Sequence, residues 1–291
     1  MTGSSNPPAP GFDLPKAAEV AQAHAKQAGA LVPLLLDETF VEDSGVRFAL
    51  QWLSSLALKD LAKIPRAGDK PSDFNPFLPY EKDLHVADIS TTHVSILNKF
   101  PAAKRHLLFV TKTFVDQETP WTQGDFNAAA TALHEMEGLL FYNSGTTAGA
   151  SQRHRHLQII EDHKAPIESL FPKDGAPLAL QRLAAMPFVH LFCRLGENFF
   201  ADIEQAERHL AEIIPAAYRE AGLIETDNCL RPYNILMTRD WFLLVPRAKE
   251  TCEGISLSAL GYAGLIGLRD QSQAEIVKQY GPMRMLVEAA G

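Results

Sequence analysis

The chain has 291 residues, of which 46% are hydrophobic, so it can bury the core of one large domain or two small ones. Its formal net charge of -8 argues against a broad basic surface and so against non-specific binding to nucleic acid. Three widely separated cysteines, Cys193, Cys229 and Cys252, argue against a disulfide framework and against a thiolate zinc site. No apolar run is long enough to span a bilayer, and the first residues lack the pattern of a signal peptide. We therefore expect a cytoplasmic protein without membrane contact.

The N-terminal quarter of the chain changes character several times. Residues 1–12 are small, polar and rich in proline, which predicts a disordered tail. The alanine-rich run "LPKAAEVAQAHAKQAGAL" predicts a helix with Asp13 as its N-cap. Residues 47–58 are apolar and fit a strand or a helix, whereas residues 64–84 form a proline-rich connector expected over the surface.

The middle of the chain is dominated by strand patterns. The runs "LHVADIS", "HVSILNKF" and "RHLLFVTK" predict a meandering antiparallel sheet, and "LLFYNSG" and "HRHLQII" predict two further strands. "YNILMT" and "WFLLVP" predict a hairpin with Arg239 and Asp240 in the turn. Helices are expected over residues 125–138, 177–186 and 197–222 and over most of the last forty residues. This mixed order predicts an α+β fold with a mostly antiparallel sheet, which we expect to form a single domain over residues 13–291.

Two histidines and a glutamine occupy alternate positions of the strand "HRHLQII". Successive side chains of a strand face opposite ways, so His154, His156 and Gln158 are expected on one face, with Leu157 on the other. The preceding loop "SGTTAGASQ" contains glycines and hydroxyls, which allow its backbone N–H groups to approach a phosphate closely.

Three interpretations of this pattern compete. The histidines could form the polar face of a sheet edge, or they could bind zinc together with a third ligand such as His163. Alternatively, one imidazole attacks a phosphorus atom as a nucleophile, which requires its other ring nitrogen to be protonated and held by an acceptor such as a backbone carbonyl. The glutamine favours the nucleophile, because an amide is a poor zinc ligand but can donate a hydrogen bond to a phosphate oxygen.

The segment "NSGTTAGASQRHRHLQ" resembles the active-site signature of the diadenosine tetraphosphate (Ap4A) phosphorylases, or ATP adenylyltransferases. These enzymes are a transferase branch of the histidine-triad superfamily, related to galactose-1-phosphate uridylyltransferase. Further segments resemble the family in the family's order: "NPFLP", "LNKFP", "HLLFVTK", "MPFVH", "YNILMT" and "SALGYAGLIGLR".

The resemblance implies a histidine-triad-type fold and a definite reaction. His156 would be the nucleophile that is adenylylated as ATP leaves, phosphate would then release ADP, and Gln158 would orient the α-phosphoryl group. His154 would orient the site, while His106 is interpreted as structural. The substrate-binding residues implied by the resemblance are Lys63, Asn98, Lys99, Asn143, Gly149, Ala150, Ser151, Gln152, Ser258, Ala259, Leu260, Leu265 and Arg269.

The chain departs from the family pattern at several positions. Thr146 and Arg153 stand where proline is usual, and Arg155 stands where a small residue or lysine is common. Ser258, Leu265 and Arg269 replace asparagine, methionine and lysine, so the chemistry is retained but the substrate preference is open.

The partners expected from the resemblance are small molecules: dinucleoside polyphosphates, ATP, ADP and phosphate. No resident cofactor or metal is expected, although Mg²⁺ could accompany the polyphosphate, and no oligomeric state is predicted. Two alternatives stay open: transfer from a nucleoside diphosphate sugar, and a dinucleotide sensor without turnover.

Overall fold

The computed structural model describes residues 12–54, 74–101, 103, 105–162, 164–226 and 229–291. The α-helices of this part of the chain are α1 (Leu14–Gln27), α2 (Gln123–Glu135), α3 (Ile203–Glu220), α4 (Ala259–Ala263), α5 (Gln271–Tyr280) and α6 (Pro282–Ala289). The strands are β1 (Leu36–Asp43), β2 (Val46–Leu53), β3 (His85–Asp88), β4 (His93–Leu97), β5 (His106–Thr111), β6 (Gly138–Asn143), β7 (His156–Glu161), β8 (Leu180–Gln181), β9 (Leu191–Arg194), β10 (Ile224–Thr226), β11 (Cys229–Leu230), β12 (Tyr233–Met237), β13 (Trp241–Pro246), β14 (Thr251–Cys252), β15 (Ile255–Ser256) and β16 (Leu265–Leu268).

A nine-stranded antiparallel sheet forms the centre of the fold, in the order β3-β4-β5-β7-β6-β12-β13-β9-β8. The predicted meander β3-β4-β5 and the hairpin β12-β13 are both present, and Thr238 and Trp241 close the hairpin around Arg239 and Asp240. The predicted α+β, mostly antiparallel fold is thus confirmed.

Helices α1, α2 and α3 cover one face of this sheet. Alternate residues of the central strands, such as Leu157 and Ile159 of β7, join the helices in one large apolar core. Asp13 caps α1 as predicted, because its carboxylate accepts a hydrogen bond from the N–H of Lys16 at 2.8 Å.

The opposite face of the sheet is covered by two separate groups of residues. A second core joins the sheet to α4, α5, α6, β2 and β16, whereas Phe77 packs with Val94, Ile96, Leu108 and Val110 in a smaller cluster. β7 passes between the two groups: Ile160 belongs to the second core, and Phe77 contacts the ring of His156. This arrangement places the strand that carries the histidines between the second core and the Phe77 cluster.

Some predicted elements are wrong. The predicted helix over residues 177–186 is absent: Leu180–Gln181 instead pairs with β9, and Leu183 and Met186 enter the second core. Leu178 has a φ of 61°, which is incompatible with a helix, so tertiary contacts override the helix propensity of alanine and leucine.

Other elements begin or end at residues that the sequence patterns did not indicate. The helix predicted from residue 197 begins only at Ile203, because Asp202 caps it. The C-terminal forty residues contain the short strands β14, β15 and β16 besides three helices. Of the run over residues 47–58, the part up to Leu53 belongs to β2, and residues 55–58 lie outside the described residues. β1, the partner of β2, was not predicted.

Parts of the chain predicted to be irregular lie largely outside the described residues. Of the predicted tail over residues 1–12, only Phe12 is described. The first half of the proline-rich connector, residues 64–73, also lies outside the described residues. Among the helices of the described ranges, none combines the length and the apolar character needed to cross a membrane.

Candidate active site

His156 and Gln158 lie on one face of β7, in the middle of the sheet. Their partners on β5 are Val110 and Leu108, and the next residue on the same face is Ile160. The predicted alternation of β7 is therefore confirmed. His154 precedes the strand in an isolated bridge to Asp116, but the ring of Phe77 contacts the rings of both histidines.

The ring of His156 is held in the tautomer that a nucleophile requires. Its Nδ1–H donates to the carbonyl oxygen of His154 at 2.8 Å, so the lone pair is on Nε2. The pKa of His156 is lowered to about 4, mainly by burial and also by the nearby His154 and Arg155, against the opposing effect of its hydrogen bond. The imidazole is therefore neutral at pH 7, and the predicted carbonyl acceptor is confirmed.

His154 already uses both of its ring nitrogens. Nδ1 accepts from the side-chain amide of Asn75 at 2.9 Å, because the oxygen of that amide accepts from the N–H of Phe77. Nε2 donates to the carbonyl and the hydroxyl of Thr111, each at 2.8 Å. Neither nitrogen is free to attack phosphorus or to bind zinc.

The zinc interpretation receives no support from the described residues. They contain no group of three or more His, Cys, Asp or Glu side chains arranged to hold a metal ion. His163, the third ligand considered, lies outside them.

A chain of three side chains fixes the amide of Gln158. The amide of Asn98 donates to Nδ1 of His106 at 3.1 Å, and Nε2–H of His106 donates to Oε1 of Gln158 at 2.9 Å. Oδ1 of Asn98 accepts from the N–H of Phe100, which sets the direction of the whole chain. The NH₂ group of Gln158 is thereby left to donate to a ligand. His106, interpreted from the sequence as structural, is thus the hydrogen-bond partner of Gln158.

Asn143, at the end of β6, is oriented in the same way. Its Oδ1 accepts from the amide of Asn234 and from the N–H of Ala259, both at 2.8 Å, so its NH₂ group points elsewhere. Buried Arg247 donates to Oδ1 of Asn234 at 2.7 Å and to the carbonyl of Ala148 at 3.2 Å. The strand end, the loop and the start of α4 thus share one hydrogen-bond network.

The glycine-containing loop between β6 and β7 bends through two positive φ angles, 78° at Gly145 and 91° at Gly149. A Cβ at Gly149 would lie 2.9 Å from Cα of Ser258 and 3.0 Å from the carbonyl oxygen of Leu257. Only glycine therefore allows the loop to touch the segment before α4.

Hydrogen bonds within the loop determine which of its amides can bind a ligand. The N–H of Gly149 donates to Thr146, and the N–H of Ala150 donates to Gly145, so both close turns. Within the described chain, the N–H groups of Ser151 and Gln152 make no hydrogen bond and can donate to a phosphate.

Arg155 points to the opposite face of the sheet from the two histidines. Its side chain is fully buried, 2.7 Å from a carboxylate oxygen of Asp125, and its guanidinium also donates to carbonyls of Asp116, Thr119 and Pro120. The arginine therefore anchors the start of β7 from beneath and does not face a ligand.

The remaining predicted ligand residues are not all brought together. Lys99 forms an ion pair with Glu81 at 2.6 Å, next to Asn98. Leu260 and Leu265 pack against the second core, and exposed Arg269 follows β16. Lys63 lies outside the described residues.

Several residues of the site were missed by sequence reasoning. Asn75 and Phe77 contact the histidines, Gln117 bonds to the backbone of His156, and Asn234 and Arg247 support Asn143. The signals were partly present, since "NPFLP" contains Asn75 and Phe77, and "YNILMT" contains Asn234. Nothing local marks Gln117 or Arg247.

An antiparallel sheet that carries H-x-H-x-Q on a central strand, with the second histidine neutral and the glutamine amide oriented, is the arrangement that the resemblance to the histidine-triad superfamily predicts. Residues 5–174 match the family model described as Ap4A phosphorylase N-terminal domain, and residues 184–290 match that of the ATP adenylyltransferase C-terminal domain. The chain therefore belongs to the Ap4A phosphorylase family.

Similar proteins are found in Saccharomyces cerevisiae. Diadenosine 5',5'''-P1,P4-tetraphosphate phosphorylase 2 is 27% identical over 254 residues, 76% of each chain. Protein APA1 is 25% identical over 242 residues, 72% of this chain and 73% of the yeast protein.

The crystal structure of yeast Ap4A phosphorylase Apa2 matches with a TM-score of 0.76 at 23% identity, covering 95% of this chain and 94% of that one. The structure of Apa2 in complex with Ap4A matches with a TM-score of 0.74 at 22% identity, over 95% and 97% of the two chains. These likenesses confirm the fold.

Proposed function

We propose that the protein is a nucleotidyltransferase that phosphorolyses Ap4A to ATP and ADP through an adenylyl-histidine intermediate on His156. Family membership supports the substrate, and a yeast relative is itself an Ap4A phosphorylase. The observation that carries the chemistry is the hydrogen bond from Nδ1 of His156 to the carbonyl of His154, which leaves Nε2 as a neutral nucleophile.

The reaction consists of two displacements at the α-phosphorus. Nε2 of His156 bonds to this phosphorus while its bond to the bridging oxygen breaks, and ATP leaves with the electron pair. The adenylylated imidazole keeps its proton on Nδ1 and is cationic, so its hydrogen bond to the carbonyl of His154 becomes charge-assisted. A phosphate oxygen then attacks the same phosphorus, the P–N bond breaks, and ADP leaves as neutral His156 returns.

Gln158 suits a polyphosphate leaving group. The oxygen of departing ATP is stable as an anion at neutral pH, so no acid has to protonate it. The amide NH₂ of Gln158, turned outward by His106, donates to the α-phosphoryl oxygens without delivering a proton.

Further donors bind the phosphates in this proposal. The NH₂ group of Asn143 and the N–H groups of Ser151 and Gln152 are oriented away from protein acceptors. Roles for the other predicted ligands are supported by the family resemblance: Lys63, Asn98, Lys99, Gly149, Ala150, Ser258, Ala259, Leu260, Leu265 and Arg269. A cytoplasmic location is part of the same proposal, supported by three cysteines that are all free.

The intermediate can be trapped directly. Incubation with Ap4A labelled in adenine, without phosphate, should leave label on the denatured protein that is stable in alkali and lost in acid, as a P–N bond requires. His156→Asn should retain no label while still binding Ap4A.

An exposed histidine of α1 provides the matched control, because His24→Asn should label like the unaltered protein. Label that persists on His156→Asn would contradict the assignment of the nucleophile. Release of ATP and AMP in the absence of phosphate would contradict phosphorolysis.

A further inference from the structure

The backbone pairing between β6 and β7 stops two residues short of His156, the proposed nucleophile. The register runs from Gly138 opposite Glu161 to Phe141 opposite Gln158. Continued by two residues, it would place Asn143 (141 + 2) opposite His156 (158 − 2). These two strand ends therefore belong side by side in the sheet, yet they are not a backbone pair.

The side-chain amide of Gln117 lies between the two strand ends. Its Nε2 donates to the carbonyl of Asn143 at 2.9 Å and to the carbonyl of His156 at 3.2 Å, and its Oε1 accepts from the N–H of His156 at 2.9 Å. One glutamine thus takes the place of the hydrogen bonds that the strands would otherwise exchange.

Gln117 is itself held firmly in place. Its side chain is fully buried, its N–H donates to the carbonyl of Arg153 at 2.8 Å, and its carbonyl accepts from the hydroxyl of Tyr142. The backbone and the side-chain amide of Gln117 are therefore both held by hydrogen bonds between the two strand ends.

The gap affects the distance between the side chains of His156 and Asn143. Directly paired residues of antiparallel strands have Cα atoms about 4.5–5.5 Å apart, and an amide that bonds to both backbones requires more room. The side chains on either side of this gap are His156, with its free Nε2, and Asn143, with its outward NH₂ group.

We propose that Gln117 is a positioning residue for adenylyl transfer, which sets the spacing between the His156 nucleophile and the Asn143 donor so that an α-phosphoryl group fits between them. Gln117 touches no substrate atom and acts only through the two strand ends. The inference rests on the proposed function and deepens it.

The test separates the rate of chemistry from the number of working sites. Rapid mixing of each variant with Ap4A, without phosphate, measures ATP release in a single turnover. The amplitude counts competent sites, and the rate constant reports attack by His156. Gln117→Met keeps the length of the side chain but not its hydrogen bonds. We expect a nearly full amplitude and a rate constant lowered about 10- to 100-fold, as for misplaced reacting groups.

The matched control is Asn127→Leu, which removes a buried amide hydrogen bond to Glu207 on α3, away from the site. It should leave the rate constant unchanged. If Gln117→Met does not fold, Gln117→Asn, which keeps the amide but cannot span the gap, is expected to lower the rate constant likewise.

A lowered amplitude with an unchanged rate constant would mean a purely structural role and would overturn the inference. An unaltered protein that releases no ATP in a single turnover would contradict the proposed function itself, and the inference with it.

Discussion

Gln158 and Asn143 each use the side-chain oxygen on a protein donor, which leaves the amide nitrogen for a ligand. Amides do not titrate, so their donor character does not vary with pH, and they add no charge to a site that must also release ATP and ADP. The orientation of each amide depends on a neighbour, His106 for Gln158 and Asn234 for Asn143. Loss of either neighbour is therefore expected to impair activity as much as loss of the amide that it orients.

Substitution of His106 tests this dependence at Gln158. His106→Phe preserves the ring but removes the donor to Oε1, so the amide can turn over and present its oxygen to the phosphoryl group. We expect kcat to fall about 10- to 100-fold with little change in KM, measured with Ap4A and phosphate. His106→Gln, which restores an N–H donor near the same position, should recover much of the loss. Equal loss in both variants would contradict the orienting role.

The pH dependence of kcat/KM for Ap4A tests the protonation state of the His156 imidazole. Burial favours the neutral imidazole and lowers the pKa of His156 to about 4, so Nε2 is unprotonated well below the usual range of histidine. From about pH 8 down to about pH 5, His156 should cause no decline in kcat/KM, and protonation should decrease it only as the pH approaches 4. A half-maximal value near the ordinary histidine pKa of about 6.5 would contradict this account.

At the level of elements, the strands were predictable because their pattern is local. The strands β5 and β7 and the hairpin β12-β13 were predicted from alternating apolar residues, β-branched residues and turn residues. The contacts around the site are not local. Asn75 forms a hydrogen bond with His154, 79 residues away in the sequence, and Asn234 forms one with Asn143, 91 residues away. Such contacts depend on sheet order, which the strand patterns alone do not specify.

The helix prediction over residues 177–186 failed for the same reason, because non-local contacts decide the structure there. Residues 177–186 have the composition of a helix, but Leu180–Gln181 pairs with the edge of the sheet, and Leu183 and Met186 enter the second core. The contact of His106 with Gln158 is likewise not local, because the two residues lie 52 positions apart on neighbouring strands.

The loop between β6 and β7 yields a prediction with an internal control. Gly149→Ala and Gly254→Ala both place alanine at a positive φ, 91° and 72°, which costs about 1–2 kcal/mol. A Cβ at Gly254 meets nothing within 4 Å, whereas one at Gly149 collides with the segment before α4.

We expect Gly254→Ala to lower only the free energy of unfolding. Gly149→Ala should lower it further and raise KM for Ap4A about tenfold, because the loop is displaced. Denaturant titration and steady-state kinetics measure the two effects. Equal behaviour of the two variants would contradict the close approach of the loop to Ser258.

For the whole molecule, the central sheet joins the two family-model segments. β6 belongs to the first segment and β12 to the second, and they pair directly from Leu140 opposite Met237 to Asn143 opposite Asn234. The hydrogen bonds around Asn143 also join the two segments, since Asn143 lies in the first and its donor Ala259 in the second. We propose that residues 13–291 form a single catalytic unit.

This proposal predicts one cooperative unfolding transition. Strands from both segments share the core beneath the sheet, so neither segment can melt without exposing the other. Calorimetry should give equal calorimetric and van't Hoff enthalpies in a single peak. Two resolved transitions, one sensitive to a bound nucleotide and the other not, would contradict a single unit.

The central claim, phosphorolysis through His156, is tested most directly by the products formed from Ap4A with and without inorganic phosphate. Purified protein should release stoichiometric ATP and ADP when phosphate is present, and no more than one ATP per site when phosphate is absent. Sustained release of ATP and AMP without phosphate would show that water resolves the intermediate, and would contradict the role given to Gln158 and to the second displacement.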